Sequence, residues 1–409
     1  MADFEIIDNQ KDLERLSNSL LREKSVAFDT EADSFYHYFD KTCLVQVATP
    51  TGCYLIDPLA MGGPANLAPL APVFASPDVQ VIFHAAEYDL FVLKRDCGFA
   101  FANVFDTMLS AQMLGYSQVG LAALIEHHFG IKLAKDEQRS DWSRRPLSQS
   151  QLSYAASDVL YLIRLVENLT AELKQAGRFS WAEDEFRTLM AREWPERLFD
   201  DLGYLKIKGA RKLDMDALAV LKQLYLARDR RAREIDRPAF KVIGNRTLLE
   251  ISETRPTTER TMTRISGVSD LIMRRMGKEL LEAVEKGSKK PHGPIPKPES
   301  TGRRRLDGRT EYRLGLLKKW RAPRSVELKM DPGVLCSNAL LETIAFKNPE
   351  QVSDFDELPG MKRWFVGAFG EEIVQLLGEA SPPPESSEPR RRSRRPRGRR
   401  GGGGSEGEA

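Results

Sequence analysis

Asp29 and Glu31 close an apolar run in the segment Phe28-Asp29-Thr30-Glu31-Ala32-Asp33. Along an extended strand, residues i and i+2 leave the backbone on the same side, so both carboxylates can address one site. Asp89 stands just past a second apolar run, in His84-Ala85-Ala86-Glu87-Tyr88-Asp89. Asp158 ends the segment Tyr154-Ala155-Ala156-Ser157-Asp158. Residues four apart share a helix face, so this phenol and carboxylate project together. Carboxylates that converge without Lys or Arg between them repel one another unless cations lie among them. Oxygen donors with no His or Cys cluster select Mg2+ or Mn2+ over zinc. Two such ions can stabilise both the attacking and the leaving oxygen of a phosphodiester displacement. Singly each feature is weak: Asp-x-Glu after a strand is often a solvated loop, and Tyr-x3-Asp an exposed helical pair.

The elements that must position these residues alternate along the N-terminal half. Leu13, Leu16, Leu20 and Leu21 at helical spacing predict an amphipathic helix over 11–23. Short strands are expected at SVAFD (25–29), CLVQVAT (43–49) and CYLID (53–57), the last two divided by a turn at Thr49-Pro50-Thr51-Gly52, which favours an antiparallel meander. VQVIFH (79–84) and NVFD (103–106) read as strands, each leading into a helix that begins at Glu87 and Thr107, respectively. Leu147 to about Ala176 reads as one long helix with Leu160, Ile163, Leu165, Val166 and Leu169 on its apolar face. Meandering strands followed by strand–helix alternation predict a mixed sheet with helices on its faces.

The chain is 409 residues long, enough for two or three cores, and its charge is divided. Residues 1–200 hold 18 Lys+Arg and 29 Asp+Glu, a net of −11, whereas 201–409 carry a net of +13. One half suits cations and the other a polyanion. Past about residue 205 helical periodicity dominates, and a repeat emerges: Pro256, Gly267 and Gly277 recur at an offset of 93 as Pro349, Gly360 and Gly370. A small helical unit used twice is expected, with a Gly/Pro/basic linker from about Gly287 to Gly302. After Glu379 come SPPPESSEP, RRRSRRPRGRR and GGGG, a composition with nothing to bury. This tail is expected to be disordered, as a non-specific nucleic-acid arm or a solubilising extension. Membrane spans are not expected, since no run approaches eighteen apolar residues. The start MADFEIIDNQ has no basic-then-apolar leader, and Cys43, Cys53, Cys97 and Cys336 lack Cys-x-x-Cys spacing. The expectation is free thiols and a cytoplasmic location.

FDTEADS (28–34), HAAEYDLFVL (84–93) and DWSRRPLSQSQLSYAASDV (141–159) taken in this order resemble the three motifs of the ribonuclease D family, within the DEDD exonuclease superfamily. Tyr-x3-Asp in place of His-x4-Asp points to its tyrosine subclass. The repeat resembles paired HRDC domains, helical nucleic-acid-binding modules. The resemblance spans about residues 4–380 and implies a ribonuclease H-like α/β exonuclease domain over 1–200. It is followed by all-α HRDC bundles at 208–288 and 309–380, a linker at 289–308 and the Arg/Gly-rich tail at 381–409. It also implies a metal-dependent 3′-to-5′ exoribonuclease that releases nucleoside 5′-monophosphates and trims tRNA precursors and other structured RNA. By carry-over, Asp29 would bridge two divalent cations (Mg2+ or Mn2+), Glu31 and Asp158 would complete the nucleophile-side ion, and Asp89 would hold the second. Tyr154 would position the attacking water. One departure stands out: Leu-Ala-Arg-Asp-Arg-Arg (226–231) falls where a Trp-Arg pair like Trp320-Arg321 is expected.

Other residues carry two readings each. His84 could contact the scissile phosphate or ribose, but a hydrogen-bonded structural histidine is the preferred reading. Arg139, Arg144 and Arg145 flank Trp142 before the third motif; they form a solvated loop, or clamp phosphate while Trp142 stacks on a base. Phe35, Tyr36 and Tyr38 could wedge against the terminal base or pack in the core. Asp106 is expected to cap the helix that begins at Thr107. Two further functions remain open at this stage, an exonuclease for DNA or short oligonucleotides and a catalytically silent RNA-binding scaffold.

Overall fold

The computed structural model describes residues 3–134, 136–195, 199–289, 293 and 306–379. Its N-terminal part is built on β1 (Glu5–Ile7), β2 (Ser25–Ala32), β3 (Thr42–Ala48), β4 (Cys53–Ile56), β5 (Gln80–Phe83) and β6 (Val104–Asp106). These form one sheet in the order β1-β4-β3-β2-β5-β6. β2, β3 and β4 pair antiparallel, and β1, β5 and β6 add in parallel, as expected of a meander joined to strand–helix crossovers. The interleaved helices are α1 (Gln10–Leu20), α2 (Ala71–Ala75), α3 (Glu87–Cys97), α4 (Thr107–Leu114), α5 (Leu121–Phe129), α6 (Gln149–Leu160), α7 (Leu162–Gln175) and α8 (Phe179–Met190). Strand alternation sorts the cores. Val26 and Phe28 of β2 face α1 and α3 with Leu13, Leu20 and Leu90, whereas Ala27 faces α6 and α7 with Ala155, Val159 and Leu165.

Two expectations about elements need correction. The helix expected from Leu147 to Ala176 is broken at Tyr161, where φ is −103° and ψ −5°. The break lets the two pieces pack separately, α6 over β3 and β4, α7 over β2, β5 and α4. Gly287 belongs to no linker. It lies in a helix, and a Cβ on it would sit 2.5 Å from the Cα of Val220.

The C-terminal part repeats one helical unit. The first copy comprises α9 (Met215–Glu234), α10 (Ala239–Val242), α11 (Asn245–Thr254), α12 (Glu259–Met262) and α13 (Asp270–Lys289). The second has α14 (Gly308–Glu327), α15 (Pro332–Leu335), α16 (Asn338–Lys347), a 3-10 turn at Val352–Glu357 and α17 (Arg363–Gly378). Left-handed backbone recurs at the same offset, at Asp236 and Lys329, Arg255 and Asn348, Gly267 and Gly360. So does an arginine tie. Arg228 donates to the Ile243 carbonyl and Asn245 Oδ1, as Arg321 does to the Cys336 carbonyl and Asn338 Oδ1. The first copy therefore keeps the arginine of the Trp-Arg pair and replaces only the tryptophan, with Ala227. Most of the expected linker, residues 290–292 and 294–305, and the whole Arg/Gly tail lie outside the described residues.

Both copies dock on the N-terminal part. Trp181 stacks on Trp364 with ring centroids 4.7 Å apart, and the Trp364 indole donates to Glu185 at 2.7 Å. Gly115, at φ +82°, lies so close to the second copy that a Cβ would meet the Lys329 carbonyl oxygen at 1.8 Å. Apolar residues of both parts, Phe186 and Leu317 among them, belong to one core. The first copy is held by the loop between β2 and β3. His37 and the amides of Tyr38 and Phe39 bond Asp236, and the Tyr38 hydroxyl donates to Asp229 at 2.7 Å. Lys241 lies 3.7 Å from the Tyr36 ring centroid. Tyr36 and Tyr38 thus serve the seam between the two parts and are not core residues.

Candidate active site

The strand β2 brings Asp29 and Glu31 to the face covered by α6. The N-terminus of that helix is fixed by a capping box between Ser148 and Gln151, which sets the turn on which Tyr154 and Asp158 stand. Carboxylate oxygens of Asp29, Glu31 and Asp158 lie within 4.8 Å of one another. Asp89 comes from the opposite side, on the first turn of α3. Thr30, pointing away from its neighbours Asp29 and Glu31, donates from its hydroxyl to Asp89 at 2.6 Å. The turn into α3 is itself held by Asp106, which accepts from the Ala85 and Ala86 amides and also caps α4 through the Met108 and Leu109 amides.

The electrostatics are those of like charges kept from water. Burial raises Asp29 well above the ordinary carboxylate range, and Asp89, Asp158 and Glu31 push it further. Glu31 is raised by burial and then by Asp158 and Asp89. Burial pushes Asp89 and Asp158 up to about 7, against the hydrogen bonds from Thr30 and Tyr154, respectively. In the metal-free fold Tyr154 is raised too, by burial and by the carboxylates around it. An all-oxygen donor set that cannot stay ionised alone fits hard divalent cations, and divalent cations restore its charge balance.

The remaining sequence candidates separate. Trp142 is 1% exposed and packs beside Tyr154, with ring centroids 6.1 Å apart. It supports that tyrosine from behind and cannot stack on a base. Arg145 is no phosphate clamp: its guanidinium pairs with Asp57 at 2.6 and 2.7 Å and donates to the Cys43 and Trp142 carbonyls. Both were placed by a loop whose inward and outward side chains have no period to betray them. His84 bonds Thr107 at 2.9 Å, and burial lowers it to about 4, so it is a neutral strut between β5 and α4. Arg139 and Arg144 are exposed and open to solvent, as is Phe35. Sequence reasoning missed Thr30 and Asp57. Alternation places Thr30 on the far face, but only the fold shows that α3 comes round to meet it.

A family model described as 3'-5' exonuclease matches residues 4–174, and a model of the HRDC domain matches 217–284 and 311–377. A ribonuclease D of Gluconacetobacter diazotrophicus is 31% identical over 382 residues, covering 91% of this chain and 92% of the relative. Another from Desulfotalea psychrophila is 30% identical over 346 residues, covering 84% and 91%. The chain belongs to the ribonuclease D family. Among solved structures, Escherichia coli RNase D, described as an exoribonuclease involved in structured RNA processing, is similar with a TM-score of 0.66 at 25% identity, covering 92% of this chain and 99% of that one. The catalytic core of RRP6 from Trypanosoma brucei gives a TM-score of 0.65 at 29% identity, covering 70% and 80%. As a ribonuclease D the chain is a 3′-to-5′ exoribonuclease, of an exonuclease family that is metal-dependent. Among the described residues no helix is long and apolar enough to cross a membrane.

Proposed function

We propose that this ribonuclease D trims structured RNA, tRNA precursors among its substrates, by two-metal-ion hydrolysis that releases nucleoside 5′-monophosphates. The observation that carries the reading is the gathering of Asp29, Glu31 and Asp158 within 4.8 Å, with Asp89 held beside them by Thr30. Asp29 would be shared by both cations, Glu31 and Asp158 would complete one site, and Asp89 would serve the other. Bound divalent cations would supply an activated water and the counter-charge for the leaving oxygen. Tyr154, braced by Trp142 and with a phenol that ordinarily ionises only at about pH 10, donates a hydrogen bond that orients the attacking water and does not act as its base. Arg139 and Arg144, both exposed beside the third motif, contact the phosphate backbone. The basic helical modules raise the local concentration of RNA at an acidic face that would otherwise repel it.

The test is a 5′-labelled transfer RNA precursor incubated with Mg2+ or Mn2+, alongside a DNA oligomer and a 3′-phosphorylated RNA. Stepwise shortening from the 3′ end, with nucleoside 5′-monophosphate as product, is expected for the wild type and lost in Asp29→Asn. A ladder that survives that substitution would sink the assignment, and faster loss of the DNA would favour the oligonucleotide exonuclease.

A further inference from the structure

Gln46 stands opposite Asp29 in the pairing of β2 with β3, and opposite Leu55 in the pairing of β3 with β4. Residues opposite each other in antiparallel strands share a face, their Cβ atoms about 4.5–5.5 Å apart, so a glutamine side chain there can reach an aspartate. Gln46 is wholly buried, 0% exposed, and neither Oε1 nor Nε2 has a hydrogen-bond partner. Its neighbours within the sheet on that face are Leu44 and Ala48 along the strand and Leu55 and Asp29 across it, with α6 above. A buried carboxamide left without partners is costly, and an apolar side chain of the same shape would avoid the cost. Packing alone therefore argues for Leu or Met at this position. Directly across the strand pair stands Asp29, which accepts through both oxygens once it is ionised.

We propose that Gln46 is a positioning residue of the acidic cluster, its Nε2–H donating to the Asp29 carboxylate when divalent cations load the site. The amide then fixes the direction in which Asp29 presents its oxygens, and the unpaired state is confined to the unloaded chain. This inference rests on the metal-dependent reading above.

The test uses the full chain, with Gln46→Met to remove the amide at nearly constant volume and Gln46→Asn to keep it one methylene short. Mn2+ affinity is measured by calorimetry, and melting is followed with and without Mn2+. Gln46→Met should melt at or above the wild type without metal, yet bind Mn2+ about tenfold more weakly, as expected for one lost hydrogen bond to a charged group. Its half-saturating Mn2+ for RNA hydrolysis should rise in step, while the rate at saturating Mn2+ recovers. Gln46→Asn should show the same loss of affinity, and it decides the matter if the methionine variant does not fold. Equal Mn2+ affinity in wild type and variants would overturn the role of Gln46 while leaving the metal site intact. Failure of the wild type to bind Mn2+ at all would overturn the metal-dependent reading, and this inference with it.

Discussion

Asp89 and Asp158 ionise near pH 4 in an unfolded chain, but in the metal-free fold they hold their protons up to about 7. Between those values the folded state binds more protons than the unfolded one, so stability falls as the pH rises. That stability is complete below the unfolded value and lost by the folded one. Metal-free protein should therefore be less stable at about pH 8 than at about pH 5, by an amount on the order of a few kcal/mol that chemical denaturation would read, and saturating Mg2+ should remove most of the difference. A flat metal-free profile would contradict the burial of these groups. Asp29→Asn should lower turnover by at least about a thousandfold. Tyr154→Phe should cost less, about a hundredfold, without moving the pH optimum near neutrality, because a phenol ordinarily ionises only at about pH 10. Single-turnover kinetics on labelled RNA would read both. At this scale the legible residues were those on a regular period. Asp29 with Glu31 follows from strand alternation, and Tyr154 with Asp158 from the helical turn. Arg145 was not legible, because its partner Asp57 lies 88 positions away and no local pattern announces the pair.

Among the elements, close approach is the sharpest constraint. Gly115 combines a left-handed backbone with direct contact against the Lys329 carbonyl, and neither backbone can yield. Gly115→Ala should cost at least about 2 kcal/mol in chemical denaturation, against about 1 kcal/mol for Gly130→Ala, which has φ +68° but open space around it. In Gly287→Ala the better helix propensity of alanine, about 1 kcal/mol, opposes a clash with the backbone of Val220. The clash should win and destabilise α13 against α9, by roughly 1–3 kcal/mol. The same glycine reads from sequence as the start of a linker, since a Gly beside Lys and Pro signals a loop whether or not a helix is packed against it. The strands expected at 25–29, 43–49, 53–57 and 79–84 are present within a residue or two, apart from β2, which runs on to Ala32. β1 is only three residues long and gave no periodic signal, and the break at Tyr161 is a demand of packing, not of propensity.

For the whole molecule, the repeat was readable because duplication preserves spacing, and helix starts and left-handed turns follow it. How the copies attach was not readable, since the joining contacts connect residues far apart in the chain. The second copy and the exonuclease share a core, so a fragment ending at residue 200 leaves Trp181 without its cover of Trp364 and Phe369. That fragment should be less stable and more prone to associate than the full chain, which light scattering and thermal melts would show; a soluble monomer with an unchanged melting temperature would argue against the shared core. Removal of 381–409 should raise KM more than it lowers kcat, increasingly so towards low salt. Identical kinetics across a salt series would deny the tail a part in RNA capture.

The segment from Asp33 to Lys41 begins where β2 ends and is gripped midway by Asp229 and Asp236 of the first helical copy. A tilt of that copy would pull on the end of the strand that carries Asp29 and Glu31. A nucleic acid that favours one tilt would thereby favour one setting of the carboxylates. By reciprocity, cations that favour that setting would tighten the grip on nucleic acid by the same factor.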